Sequence, residues 1–160
     1  MTRVLTAGRK QPQSGVTKSV LVFLHGYGAN GADLLGLSDV LGEHLPDTLF
    51  VSPDAPESCP GAPLGYQWFP IPWLDGSNEE VAQRSMEAAV NDLNSFLDAL
   101  MVDEDIIPEQ LALFGFSQGT MMSLHVGPRR EDMIGGIVGF SGRLLEPELL
   151  IDEVRNKPPV

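Results

Sequence analysis

The stretch Leu111-Ala112-Leu113-Phe114-Gly115-Phe116-Ser117-Gln118-Gly119-Thr120-Met121-Met122 decides how this chain is read. An apolar run, 111–114, leads into Gly-x-Ser-x-Gly, and the helix-forming segment 119–126 follows, closed by Gly127-Pro128. A turn sharp enough to lift a serine off a sheet edge brings the residues two before and two after it into collision, so both must be small. Gly115 and Gly119 meet that demand. The same turn sets Ser117 at a helix N-terminus, where free N–H groups favour developing negative charge. Ser117 is therefore expected to be a catalytic nucleophile. A second serine, Ser141 in Gly139-Phe140-Ser141-Gly142-Arg143, has Arg143 where the second glycine is required and reads as structural.

Working outward, short apolar runs alternate with segments of helical period: strands at 20–24, 49–51, 111–114 and 134–140, helices at 30–45, 77–100, 119–126 and 146–154. This alternation predicts an α/β fold with a mostly parallel central sheet flanked by helices. Leu34, Leu37, Leu41 and Leu45 fall on one face of the first helix. Ser77-x-x-Glu80 has the form of a capping box for the long one, which carries Ala82, Met86, Ala89, Leu93, Phe96, Leu97 and Leu100 at spacings of three and four. Glu79, Glu80, Glu87, Asp92 and Asp98 read as its solvated face.

At 160 residues with 42% hydrophobic side chains, the chain is long enough for one domain with one core. Its 10 basic against 22 acidic residues give −12, the wrong sign for tracking phosphates or anionic lipid, so nucleic acid and membrane insertion are excluded as expectations. No apolar run approaches the ~18 residues of a membrane span. The N-terminal residues lack a signal-peptide core, and the single cysteine, Cys59, cannot pair internally, so a cytoplasmic location is expected. The three histidines and Cys59 show no metal-ligand spacing, and no metal or cofactor is expected.

His25-Gly26-Tyr27-Gly28-Ala29-Asn30-Gly31 admits two readings. Gly26-x-Gly28-x-x-Gly31 follows a strand and precedes a helix, and with Asp54 at the next strand end it approaches a dinucleotide-binding fingerprint, hence an oxidoreductase. In a hydrolase the same glycines turn the backbone toward Ser117, so that the N–H of Tyr27 completes an oxyanion hole with that of Gln118. The Gly-x-Ser-x-Gly turn has no place in a dinucleotide fold and favours the second. A non-catalytic pseudo-hydrolase is the remaining alternative.

Taken together, His25-Gly26-Tyr27-Gly28-Ala29-Asn30, Pro53-Asp54-Ala55-Pro56, Gln67-Trp68-Phe69, Gly115-Phe116-Ser117-Gln118-Gly119 and Phe140-Ser141-Gly142 resemble the phospholipase/carboxylesterase family of α/β hydrolases, relatives of the acyl-protein thioesterases. The resemblance implies an α/β-hydrolase fold and a cytoplasmic serine esterase or thioesterase acting on small acyl substrates. It implies Ser117 as nucleophile, Tyr27 and Gln118 as the oxyanion hole, and His25 as loop support. In this fold the triad order is Ser, then Asp or Glu, then His. The only histidine after Ser117 is His125, eight residues along the same helix and so about 12 Å away. The triad acid and base are accordingly expected beyond Val160, with Lys157-Pro158-Pro159-Val160 leading into a further strand. An exposed edge at 134–140 is expected to pair with a second copy or with the missing C-terminal segment.

Residues 53–73 are long for a segment without regular structure and hold Tyr66, Trp68, Phe69 and Trp73 among several prolines, the pattern of a lid or binding loop. Trp68, Phe69, Trp73 and, from the helix after Ser117, Met121 are the expected substrate-binding residues.

Overall fold

The computed structural model describes residues 2–160. In chain order the elements are β1 (Ala7–Lys10), β2 (Ser19–Leu24), α1 (Gly31–Leu35), α2 (Ser38–Leu41), β3 (Thr48–Pro53), β4 (Glu57–Ser58), β5 (Tyr66–Gln67), α3 (Pro72–Asp75), α4 (Glu79–Asp103), β6 (Leu111–Phe116), α5 (Gln118–Val126), β7 (Gly136–Phe140) and α6 (Pro147–Glu153). The main sheet has the order β1-β3-β2-β6-β7. β3, β2, β6 and β7 are parallel, and β1 runs antiparallel to β3 at the edge. The four expected strands are present: the first three are longer than expected, and the fourth is shorter, beginning at Gly136 and not at Ile134. β1, with only four residues and none of them fully buried, carried no apolar run to announce it.

β3 is buried along its whole length and β2 along most of it, which is why both read as continuous apolar runs rather than alternations. From β2 the chain moves to β3 on one side, and from β6 to β7 on the other. The direction of winding thus reverses between β2 and β6, and the crevice outside their carboxyl ends is where an open α/β sheet binds ligands. The His25–Gly31 loop leaves the end of β2, and Ser117 leaves the end of β6.

α4 buries Ala82, Met86, Ala89, Leu93, Leu97 and Leu100, and all but Ala82 join one core cluster with β-strand residues such as Leu111, Leu113 and Val22. Leu93 and Leu97 are wholly buried, so truncating either to alanine should cost about 2–5 kcal/mol. Its N-cap is Asn78, one residue later than Ser77-x-x-Glu80 suggested: the Asn78 side chain accepts the N–H groups of Glu80 and Val81. Asp92 departs from the solvated-face reading. It is 2% exposed, and its carboxylate accepts the backbone N–H and the Nε of Arg3, each at 2.7 Å. The pattern of α4 could not reveal this, because the partner lies 89 residues away.

The helix expected over 30–45 is broken into α1 and α2 at Gly36-Leu37, where Ser38 Oγ caps the carbonyl of Leu35 at 2.6 Å. Leu37 and Leu45 are exposed, so that apolar face is not buried as a unit. Residues 53–73 contain the small β4–β5 hairpin. Beyond α6 the chain returns to the sheet: the N–H of Ile137 donates to the carbonyl of Pro159 at 2.8 Å, so 158–160 already borders the outer edge of β7 that sequence reasoning left open. Val138 and Phe140 stay about half exposed.

Candidate active site

Ser117 sits at φ 53°, ψ −113°, backbone space that a side chain enters only under strain. The turn is held from three sides. The N–H of Ser117 donates to the carbonyl of Phe140 at 2.8 Å, tying the turn to the end of β7, and the Thr120 hydroxyl lies 2.8 Å from the same carbonyl. A Cβ on Gly119 would stand 1.8 Å from the carbonyl oxygen of Leu24, and one on Gly115 would stand 2.5 Å from the backbone nitrogen of Thr120. The helix is thus seated on the end of β2 at backbone contact, the physical content of the two-glycine motif. Ser117 itself stays partly accessible.

Gly26 brings the second loop up to the first: a Cβ there would lie 3.3 Å from Cβ of Ser117. Tyr27 follows Gly26 in that loop and Gln118 follows Ser117 in the turn, and neither backbone N–H has a loop or turn backbone acceptor among the described residues.

The Gln118 side chain has a separate task. It is wholly buried, its Oε1 accepts the N–H of Trp68 at 2.9 Å, and its Nε2 donates to the carbonyl of Phe69 at 2.7 Å. Trp68 is wholly buried too, and its indole N–H donates to the carbonyl of His25 at 3.0 Å. Trp68 therefore corrects the expectation for it. It is a strut between the two loops and not a wall of the cavity, because a ring with no exposed surface cannot meet a substrate.

A cavity of about 370 Å³ reaches the site at Met121 and does not include Ser117 itself; its apolar lining includes Phe69, Trp73, Met86, Met121 and Leu145. Phe69 is nearly buried, Met121 partly so, and Trp73 is 77% exposed at the rim. Met121 follows Ser117 by one helical turn, its N–H donating to the Ser117 carbonyl at 3.2 Å.

His25 is buried with both ring nitrogens engaged: Nδ1 is 2.8 Å from the carbonyl of Gly26, and Nε2 accepts the N–H of Ala55 at 3.0 Å. Burial pushes its pKa below 6.5, and the Gly26 bond, Asp54 and Asp33 only partly offset this. A neutral ring with Nδ1–H donating fits both contacts, so this residue organises the loop and has no nitrogen free for Ser117. His125 is buried on α5, and burial lowers its pKa as well; His44 is exposed after α2. None of the three can take a proton from Ser117.

Tyr27 carries a feature that sequence reasoning missed. Its hydroxyl donates to Asp75 Oδ2 at 3.1 Å, and the same carboxylate accepts the N–H groups of Ile71 at 2.8 Å and Ser77 at 2.9 Å. For Asp75, burial acts to raise the pKa, but hydrogen bonding around Ser77, from the Ile71 amide and from Tyr27 outweighs it and brings the value down to about 2. Burial, then contacts with Cys59 and Asp75, push the Tyr27 phenol up, so it remains a donor. Nothing in the local pattern could pair residues 48 positions apart.

The dinucleotide alternative fails on the same loop. The N–H of Gly31 is taken by Asp54 Oδ1 at 2.8 Å, Asn30 and Asp33 close a capping box on α1, and that helix has only five residues. Its N-terminus is filled by the chain's own carboxylates, and Asp54 is not free to meet a ribose.

The comparisons agree with this geometry. Residues 10–157 match the phospholipase/carboxylesterase family model. Acyl-protein thioesterase 1 of Saccharomyces cerevisiae is 33% identical over 94% of this chain and 67% of its own length. Among solved structures, esterase PE8 is 39% identical with a TM-score of 0.91, over 99% of this chain and 73% of that one. Zea mays acyl-protein thioesterase 2, at 23% identity and a TM-score of 0.67 over 96% of this chain and 68% of that one, shares the fold. The chain spans about two thirds of the length of the curated relatives it matches. With the strained serine turn, the parallel sheet and the family match in agreement, the chain belongs to the phospholipase/carboxylesterase family of α/β hydrolases.

Proposed function

We propose that this protein hydrolyses carboxylic esters or thioesters of acyl substrates through an acyl-enzyme on Ser117. The observation that carries the reading is the Ser117 turn: a partly exposed hydroxyl in strained backbone, with Gly26 of the neighbouring loop brought against it. In the first step Ser117 Oγ adds to the substrate carbonyl carbon and gives its proton to a base, while the N–H groups of Tyr27 and Gln118 hold the oxyanion. The leaving alcohol or thiol departs with that proton, and water then releases the acid by the same route. The acyl part lies against Phe69, Trp73 and Met121. Each histidine of the 160 residues is engaged or remote from Ser117, so the general base of this step is not among them. We read the described residues as one domain, and the names of the relatives, acyl-protein thioesterase and esterase, support ester or thioester substrates.

A fluorophosphonate probe tests this. Protein that carries the general base should be labelled at Ser117 and hydrolyse p-nitrophenyl esters, and its Ser117→Ala variant should do neither. Labelling at Ser141 would overturn the assignment, and a folded protein with no labelling and no hydrolysis would favour the pseudo-hydrolase.

A further inference from the structure

Asp75 stands where two parts of the site meet. On one side it holds Tyr27, whose backbone N–H is half of the oxyanion hole. On the other it closes the segment that forms one wall of the cavity, since Ile71, Pro72 and Trp73 line that space and the Ile71 N–H ends on the same carboxylate oxygen as the Tyr27 hydroxyl. The Ser77 N–H binds the other oxygen, so the carboxylate's orientation is fixed by the backbone of 71–77 rather than by Tyr27. α3 is a single turn, and its exposed Trp73 and Leu74 give it few packing partners of its own. With so few contacts this is a segment of low local stability, and a chain that fills the cavity beneath it adds to what holds it in place.

We infer that Asp75 is a positioning residue that couples occupancy of the cavity to the alignment of the Tyr27 N–H. An acyl chain long enough to press on Ile71 and Trp73 orders 71–77, Asp75 is carried with it, and the Tyr27 hydroxyl draws the oxyanion loop into register. Binding energy from a remote part of the substrate then acts at the reacting carbonyl, so longer acyl chains raise kcat and not only affinity. The inference rests on the proposed esterase reading and deepens it: it assigns the protein a preference for acyl chains that reach the Trp73 rim, enforced through this link.

The test uses p-nitrophenyl acetate, butyrate and octanoate with wild type, Tyr27→Phe, Asp75→Asn and the double variant, and reads the ratio of kcat on octanoate to kcat on acetate. Tyr27→Phe keeps the ring and the backbone N–H and removes only the hydroxyl. Wild type should show a ratio above one, and Tyr27→Phe should reduce it about fivefold, the scale of a partly exposed hydrogen bond to a charged group. Asp75→Asn should reduce it similarly, and the double variant no further, because one link is being cut. A ratio unchanged in Tyr27→Phe, additive losses in the double variant, or a wild-type kcat independent of chain length would each overturn the coupling. All variants are made in protein that carries the general base, so absence of hydrolysis on every ester would instead count against the esterase reading itself. A general loss of folded protein lowers all three rates together and leaves the ratio where it was.

Discussion

Replacing Gln118 by alanine separates the two tasks assigned to that residue. The backbone N–H beside Ser117 is retained, while two buried hydrogen bonds, from Trp68 N–H at 2.9 Å and to the Phe69 carbonyl at 2.7 Å, are lost. Gln118 and Trp68 are both wholly buried, so water does not replace the missing partners without opening the loop. A buried backbone group left unsatisfied costs about 1–3 kcal/mol, so two of them give about 2–6 kcal/mol, before any cavity contribution. Gln118→Glu should be as damaging or worse. Its carboxylate keeps an acceptor for Trp68 N–H but turns a second oxygen toward the Phe69 carbonyl, in a site with no cation to pair it. The assay is urea unfolding followed by tryptophan fluorescence, with Trp68 as the reporter beside the mutated residue. A loss below about 1 kcal/mol with an unchanged m-value would refute the claim that this side chain clamps the loop.

Ser117→Gly should abolish probe labelling yet raise stability by about 1 kcal/mol, because φ 53° with ψ −113° is relaxed for glycine and strained for serine; an equal or lower midpoint would contradict stored strain at the turn. Gly119→Ala should cost at least about 3 kcal/mol or prevent folding, since its Cβ would lie 1.8 Å from the Leu24 carbonyl; near-wild-type thermal unfolding would show that β2 and α5 are not in backbone contact. Acidification should destabilise the protein through His25 and His125, both with folded pKa values below 6.5: the unfolded state binds more protons in this range, so their contribution is complete above pH 6.5 and is lost as pH falls from there toward the folded values. Denaturant midpoints between pH 7.5 and 5 should fall accordingly, and a flat profile would mean that neither ring is held neutral.

The α/β class, the sheet strands 20–24, 49–51, 111–114 and 134–140 and the identity of the serine turn followed from the sequence alone, because each depends on signals within a dozen residues: β-rich apolar runs, helical spacing, and two glycines at fixed offsets from Ser117. The approach of the Gly26–Tyr27 loop to Ser117 was legible for a related reason, since parallel neighbours β2 and β6 must end on the same side of the sheet. What the tertiary structure alone decided are the contacts made across long sequence separations. Trp68 becomes a strut because Gln118 and His25 hold its two N–H groups, Asp92 is buried because Arg3 reaches it, and Tyr27 is tied to Asp75. In each case the residue's environment is set by a partner 43 or more positions away, which no local pattern reports. A tryptophan in a proline-rich loop reads equally as cavity wall or core, and only the buried hydrogen bonds of its backbone and indole N–H, which must be satisfied once water is excluded, fix which it is.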